Sequence, residues 1–507
     1  MSGNIEDNKR IAKNSILLYI RMIFTLVISL YMSRVVLEVL GVEDYGIYNV
    51  VGGIVGIISF ISNSLAASTQ RFITYELGLG DNSRLHRIFS TSIVIHLIIA
   101  LVLFLITEPL GLWLLNCKMN IPYERASTAF WVFQCSVGSM LVMILSIPYN
   151  AVIIAHEKMS AFAYISILDV SLKLLSVFLL KLFNCDLLLL YAIFLLVVQI
   201  IIRLIYGLYC SSHFDECKPS IKFDASQIKE MLSFSTWALF GNMAVAGYTH
   251  GINILLNIFF TPIVNAARGI AVQIQSAISL LVTNFQLSVN PQITKSYATS
   301  DFDRLHTLVF ASSKFSFYLA LFAIIPLYFN LEFLLNVWLH EVPQYTVSFI
   351  GLLCFIQLID TLANPITAAV SATGIIRNYQ VVVGIVQLLI LPISYVFLYY
   401  GFPPQIVYVV HLCIAIVAQI SRVHFVAKLL NMSYIGYFKN VILRIVPVFI
   451  ITWIVVYYSK SINCGRLLFF ILSTIITFVT LVISIYFVGL SYSERNFVKQ
   501  KIKIKKK

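Results

Sequence analysis

Asp360 stands deep inside an apolar run, with Asn364 four residues later and Pro365 directly after it. A proline at that depth breaks the helical hydrogen-bond ladder and frees backbone groups. A carboxylate beside freed carbonyls can take up and release a proton or a sodium ion; the same pattern also suits a structural kink with a buried, hydrogen-bonded Asp. Among the acids only Asp169 lies comparably deep, and Lys173, four residues on, shares its helix face and can neutralise it. His250, Asn253 and Asn257 are spaced by three and four, which places them on one helical stripe. The next run continues with Gln273, Gln275, Asn284, Gln286 and Asn290. Such side chains suit sugar hydroxyls or a water-filled cavity, and they also join helices by plain packing.

Basic residues outnumber acids at depth. Arg21 sits well inside the first apolar run, while Arg34, Arg203, Arg268 and Lys314 lie where a long side chain can also snorkel toward a run's end. A cavity built from them attracts anions. No P-loop GxxxxGK[ST] occurs, and no paired carboxylates or nucleophile with a poised base stand out. The eight Cys are scattered without CxxC or metal-ligand spacing. The chain therefore reads as a non-enzyme without cofactor or metal site.

These residues must be positioned by membrane helices. Of 507 residues, 60% are hydrophobic and 11% charged, with a mean hydropathy of +0.91; a soluble chain has about 25% charged residues. Fourteen stretches read as spans: 14–38, 46–70, 87–108, 126–153, 161–183, 187–211, 233–260, 264–290, 307–330, 345–372, 378–400, 404–430, 441–458 and 466–490. Each can cross roughly 30 Å of hydrocarbon as a helix. The stretches 46–70 and 264–290 carry the most Gly, Ser, Asn and Gln. Lys and Arg collect in alternate loops, including Arg84, Lys158, Lys222, Lys229, Arg304, Arg377, Lys428 and Lys439, whereas Glu43, Asp44, Asp186, Glu332 and Glu341 mark the other set, with little Lys or Arg beyond Lys118, Lys181 and Lys460. The positive-inside rule makes the basic set cytoplasmic, with both termini inside. Much of the formal charge of +13 sits in the tail from Arg495 to Lys507, which suits anionic lipid headgroups better than nucleic acid.

Two polar gaps repeat. ITYELGLGDNSRLH (Ile73–His86) and ITKSYATSDFDRLH (Ile293–His306) align so that Asp81, Arg84, Leu85 and His86 fall on Asp301, Arg304, Leu305 and His306. Downstream, IPYNAVIIAHEK (Ile147–Lys158) parallels NPITAAVSATGI (Asn364–Ile375). Both copies lie on the same membrane face, so the expected architecture is all-α with two parallel six-helix lobes. The expected division is an N-terminal lobe at 1–211, a cytoplasmic linker at 212–232, a C-terminal lobe at 233–430, two additional helices at 431–490 and a basic tail at 491–507.

The opening span with Arg34, then LEVLGVEDYGIYNVVGG (Leu37–Gly53) and SLAASTQRF (Ser64–Phe72), resembles the polysaccharide transporter branch of the multidrug, oligosaccharidyl-lipid and polysaccharide exporter superfamily, which includes the O-antigen flippases. The resemblance implies a MATE-like bacterial inner-membrane protein with two lobes in a V shape. It implies transfer of undecaprenyl-diphosphate-linked oligosaccharide from the cytoplasmic to the periplasmic leaflet by alternating access, coupled to a proton or sodium gradient. Arg21, Arg34, Arg268 and Lys314 would meet the diphosphate and sugars; the last two helices, outside the repeat, read as an add-on or docking element, with polysaccharide polymerase or ligase machinery as a candidate partner. The alternatives are an ion-coupled drug or metabolite antiporter of the same fold and a membrane-embedded enzyme of glycan assembly. The first span lacks the acidic residue of the drug-exporting relatives, and no outer loop is long enough for an enzyme's catalytic domain.

Overall fold

The computed structural model describes residues 2–56, 59–117, 123–218, 225–260, 262–339, 342–459, 465–492 and 494–496. Lys118, Lys222, Glu341, Lys460 and the basic tail from Lys499 onward lie outside these residues.

The structure is all helical. The first half contributes α1 (Ser2–Gly56), α2 (Ser59–Leu79), α3 (Asn82–Cys117), α4 (Ala126–Ala155), α5 (Met159–Leu180), α6 (Leu187–His213) and α7 (Ala225–Phe259). There follow α8 (Pro262–Ala298), α9 (Phe302–Phe329), α10 (Leu331–Trp338), α11 (Thr346–Asp360), α12 (Ala363–Thr373), α13 (Arg377–Leu388) and α14 (Ile390–Tyr399). The chain closes with α15 (Ile406–Leu430), the short α16 (Tyr434–Tyr437), α17 (Leu443–Ser459) and α18 (Arg466–Ser484). It divides into two compact units, Met1–Leu239 and Phe240–Lys507.

Among the described residues twelve helical segments are long and apolar enough to cross a membrane, which corrects the expected fourteen. The stretch 264–290 does qualify, within Ile263–Ala298. The two that do not are 46–70 and 233–260. The first is shared between the end of α1 and α2, where Ser62, Asn63, Ser64, Ser68, Thr69 and Gln70 lower the hydropathy. The second falls in α7, diluted by Asn242, Thr249, His250 and Asn253 among its apolar residues.

In the first unit α4 packs against α2, α3 and α6, and Val132, Phe133 and Ile144 on it are fully buried. Burying such side chains contributes about 1.5–3 kcal/mol each relative to exposure in water; in a membrane, packing density and polar pairing carry more of the specificity. Helix α1 breaks at Gly41, whose φ of 77° falls where a side chain is strained. Just beyond, Asp44 is held by Arg125 at 2.5 Å, and the same guanidinium reaches Asp186 at 3.1 Å. Asp186 also caps α6 by accepting from the Leu188 and Leu189 amides. The LGVED segment is thus a helix break followed by an anchor.

The repeated gaps are repeated caps. Asp81 accepts from the Arg84 amide at 2.9 Å to start α3, and Asp301 accepts from the Arg304 amide at 3.1 Å to start α9. That amide bond, with further hydrogen bonds from Ser83, holds the exposed Asp81 carboxyl below the usual carboxylate range. The residue before each cap is left-handed: Gly80 at φ 75° and Ser300 at φ 56°. The second repeat behaves alike, with Glu157 at φ 59° and Gly374 at φ 79° in matching positions. His306 is a tie, its Nε2 lying 3.0 Å from the Leu430 carbonyl.

In the second unit α8 packs on α9, α11 and α12, while α15 lies against α11 through α14. Helices α17 and α18 pack on each other and on α9.

Candidate functional site: a polar cavity at a broken helix

The break between α11 and α12 falls at Thr361 and Leu362. Pro365 cannot donate to the carbonyl four residues back, which is that of Thr361, and its ring crowds that oxygen. Gln286 from α8 supplies the missing donor, its Nε2 lying 3.0 Å from the Thr361 carbonyl and 3.0 Å from Ser316 Oγ. The Gln286 amide oxygen accepts from Asn364 Nδ2 at 2.7 Å. Gln419 of α15 donates to the Leu362 carbonyl at 3.3 Å. One glutamine therefore reads both sides of the kink, and the freed backbone expected from Asn364–Pro365 is engaged by side-chain amides.

A cavity of about 230 Å³ opens at this break, lined by Gln275, Ser279, Thr283, Gln357, Asp360 and Asn364. Apart from Asp360 its polar lining consists of amides and hydroxyls, which donate and accept without fixing a charge. Asp360 makes no hydrogen bond or ion pair within the described residues. The nearest opposing charge is Arg422 of α15, which acts on it electrostatically. Arg422 is 6% exposed, and its Nη1 has no hydrogen-bond partner. A part-exposed carboxylate in the cavity wall and a buried guanidinium that sense each other without closing a bridge form an arrangement a small movement can change.

Behind the cavity the polar residues continue. Tyr248 lies within the fields of Asp360, Arg422 and Arg268, and its ring meets that of His411 edge-on at 5.1 Å. Arg268 is 3% exposed. It donates to Asn253 Oδ1, to the Tyr408 hydroxyl at 3.1 Å and to the Thr249 carbonyl at 2.7 Å. Arg268 is therefore a buried cross-link among α7, α8 and α15, and Asn253 is its acceptor. His250 and Asn257 share the stripe with Asn253 and are exposed.

Lys314 is placed elsewhere. Its ammonium, with a side chain 3% exposed, is clamped by both oxygens of Glu494 at 2.7 and 2.9 Å. Burial pushes the Glu494 carboxyl up, but the Lys314 charge, its hydrogen bond and those from Ser491 outweigh this and hold it below the usual carboxylate range.

The first unit has its own intramembrane group. Arg21 donates to Ser166 Oγ at 3.4 Å and stacks over the Phe162 ring at 4.5 Å. Lys173 and Asp169 pair at 2.8 Å, as their spacing implies. Tyr206 lies within reach of the charges of both Arg21 and Asp169. Arg34 is exposed on α1, about 20 Å along the axis from Arg21 at 1.5 Å per residue, so the two do not form one cluster. Arg422, Gln419 and Glu494 were missed by sequence reasoning: the first two because an Arg and a Gln in an apolar helix resemble snorkelling and packing residues, the third because its partner is 180 residues away.

The family model described as polysaccharide biosynthesis protein matches residues 11–296. No curated protein matches the chain. Among solved structures, a MATE crystal structure in the straight conformation superposes with a TM-score of 0.71 at 14% identity, covering 84% of this chain and 96% of that one. The outward-facing conformation of a multidrug resistance MATE family transporter of the MOP superfamily gives 0.70 at 14% identity, covering 84% and 97%. A MOP superfamily transporter from Pyrococcus furiosus, described as having a binding pocket of reverse polarity that suggests a different function, gives 0.69 at 14% identity, covering 84% and 97%. The fold is that of the MATE transporters.

Proposed function

This chain belongs to the polysaccharide biosynthesis protein family, a family of polytopic MOP superfamily transporters, and from that premise we propose that it is a flippase for lipid-linked oligosaccharide. The substrate class is an undecaprenyl-diphosphate-linked repeat unit of O-antigen, capsule or exopolysaccharide. It moves from the cytoplasmic to the periplasmic leaflet of a bacterial inner membrane, with the basic loops and both termini on the cytoplasmic side. The observation that carries this reading is the cavity at the α11–α12 break, whose amides and hydroxyls match the hydrogen-bonding surface of a sugar. Arg21 supplies a cation at depth in the first unit, suited to a diphosphate. The MATE fold supports alternating access, in which the lipid chain stays in the bilayer while the charged head crosses through protein. The protein makes and breaks no covalent bond.

A second reading, an ion-coupled drug or metabolite antiporter, is favoured by the likeness to MATE structures and by Asp360 in the cavity wall. The two readings separate in one assay. Purified protein in proteoliposomes should flip fluorescent undecaprenyl-diphosphate oligosaccharide, and empty liposomes should not. Protein-dependent export of cationic drugs, with no movement of lipid-linked glycans, would establish the antiporter instead.

A further inference from the structure

A second cavity, of about 530 Å³, lies on α15 against the same helix break and has a different character. Its walls are Ile416, Ile420 and Val423 of α15, Ile359 and Leu362 beside the break, and Phe438 of the segment after α16. Ile420 and Phe438 are 66% and 53% exposed, so nothing among the described residues covers them. The positions 416, 420, 423 and 424 form one helical stripe, and Lys428 continues it one turn later. From Ile416 to Lys428 the stripe runs about 18 Å at 1.5 Å per residue, close to the depth of one leaflet of a roughly 30 Å hydrocarbon core.

The ends of the groove differ in charge. Along the apolar length Gln419 lines the groove, its Nε2 donating to the Leu362 carbonyl at 3.3 Å. At the basic-loop end His424 lies 2.9 Å from the Tyr434 hydroxyl. Lys428 follows on the same face, and Lys439 follows Phe438; both are exposed, and neither forms an ion pair among the described residues. A groove apolar along its length and basic at one end complements an amphiphile with one hydrocarbon chain beside it and an anionic phosphate at its head.

We propose that this groove is a site for an anionic phospholipid of the leaflet next to the basic loops. Its phosphate meets Lys428, Lys439 and the His424–Tyr434 pair, and one acyl chain packs along Ile420 and Ile416 onto Ile359 and Leu362. Because those last two residues flank Asp360 and Thr361, the chain braces the break from the side opposite the polar cavity. This site does not depend on what the cavity carries.

The test places a reporter in the groove, Ile420→Trp, in full-length protein in nanodiscs, and subtracts the native tryptophan signal of the unmodified chain. Chain-brominated phosphatidylglycerol should quench the reporter more than brominated phosphatidylcholine, by an occupancy preference of about fivefold for each lysine engaged. Lys428→Gln with Lys439→Gln should remove the preference, and a control reporter at Ile475→Trp on α18 should show none. Equal quenching by both lipids, or a preference untouched by the lysine changes, overturns the proposal. Displacement of brominated phosphatidylglycerol by undecaprenyl phosphate at equimolar amounts would assign the groove to a carrier lipid and also overturn it.

Discussion

Asp360 and Arg422 are the residues at which the proposed ion coupling is most directly tested. A cavity-wall carboxylate without a hydrogen bond, within the field of a buried guanidinium with one orphan nitrogen, is costly unless something else spends time beside it. Asp360→Asn should leave the protein in the membrane and abolish the pH and sodium dependence of transport in proteoliposomes; an unchanged profile would exclude this carboxylate from coupling. Arg21→Ala should lower transport roughly ten- to hundredfold at normal abundance, since a charge-assisted hydrogen bond contributes about 1.5–3 kcal/mol. Normal flipping by that variant would remove Arg21 from the pathway. At this scale the sequence was informative where a residue was anomalous in its setting. Asp360 with Asn364 and Pro365 stood out because an acid and a proline are both costly in an apolar helix. Lys314 was misleading because its neutralising partner enters from beyond α18, and Arg422 was overlooked because an arginine near a helix end needs no special explanation.

Helices supply the precision that single residues lack. Pro365→Ala would return an amide to the Thr361 carbonyl and compete with Gln286 for it. The expected outcome is a straighter α11–α12 segment, equal or higher thermal stability and transport lowered several-fold, measured by melting and flipping assays on the same preparation. The clamp between α9 and the segment beyond α18 behaves oppositely. Glu494→Gln strands a buried ammonium and should destabilise the protein by about 3–5 kcal/mol, whereas Lys314→Met combined with Glu494→Gln should recover most of that loss. The Glu494 carboxyl lies below its ordinary value of 4.5 in the folded protein, so its contribution is fully present above that pH. It is lost as the pH falls through the folded-state value. Helix positions were readable from apolar runs, but the stretches 46–70 and 233–260, expected as spans, fold into helical segments whose polar residues leave them short of a span's hydropathy.

Across the whole chain the paired polar gaps match in two independent forms. Aspartate caps recur at Asp81 and Asp301, and left-handed residues recur at Gly80 with Ser300 and at Glu157 with Gly374. Glycine stands at one member of each pair, and the other member carries the strain of a side chain in the same conformation. Ser300→Gly should therefore stabilise the protein by about 0.5–1 kcal/mol, detectable as a rise in melting temperature, with transport unchanged. The repeated phrase could be read from sequence because capping restricts residue type, but the backbone handedness could not, since two different side chains and glycine satisfy it. At these four positions the residue type differs within each pair while the sign of φ is the same. Segments that share only a few letters can be put in register a second time by the places where the chain turns left.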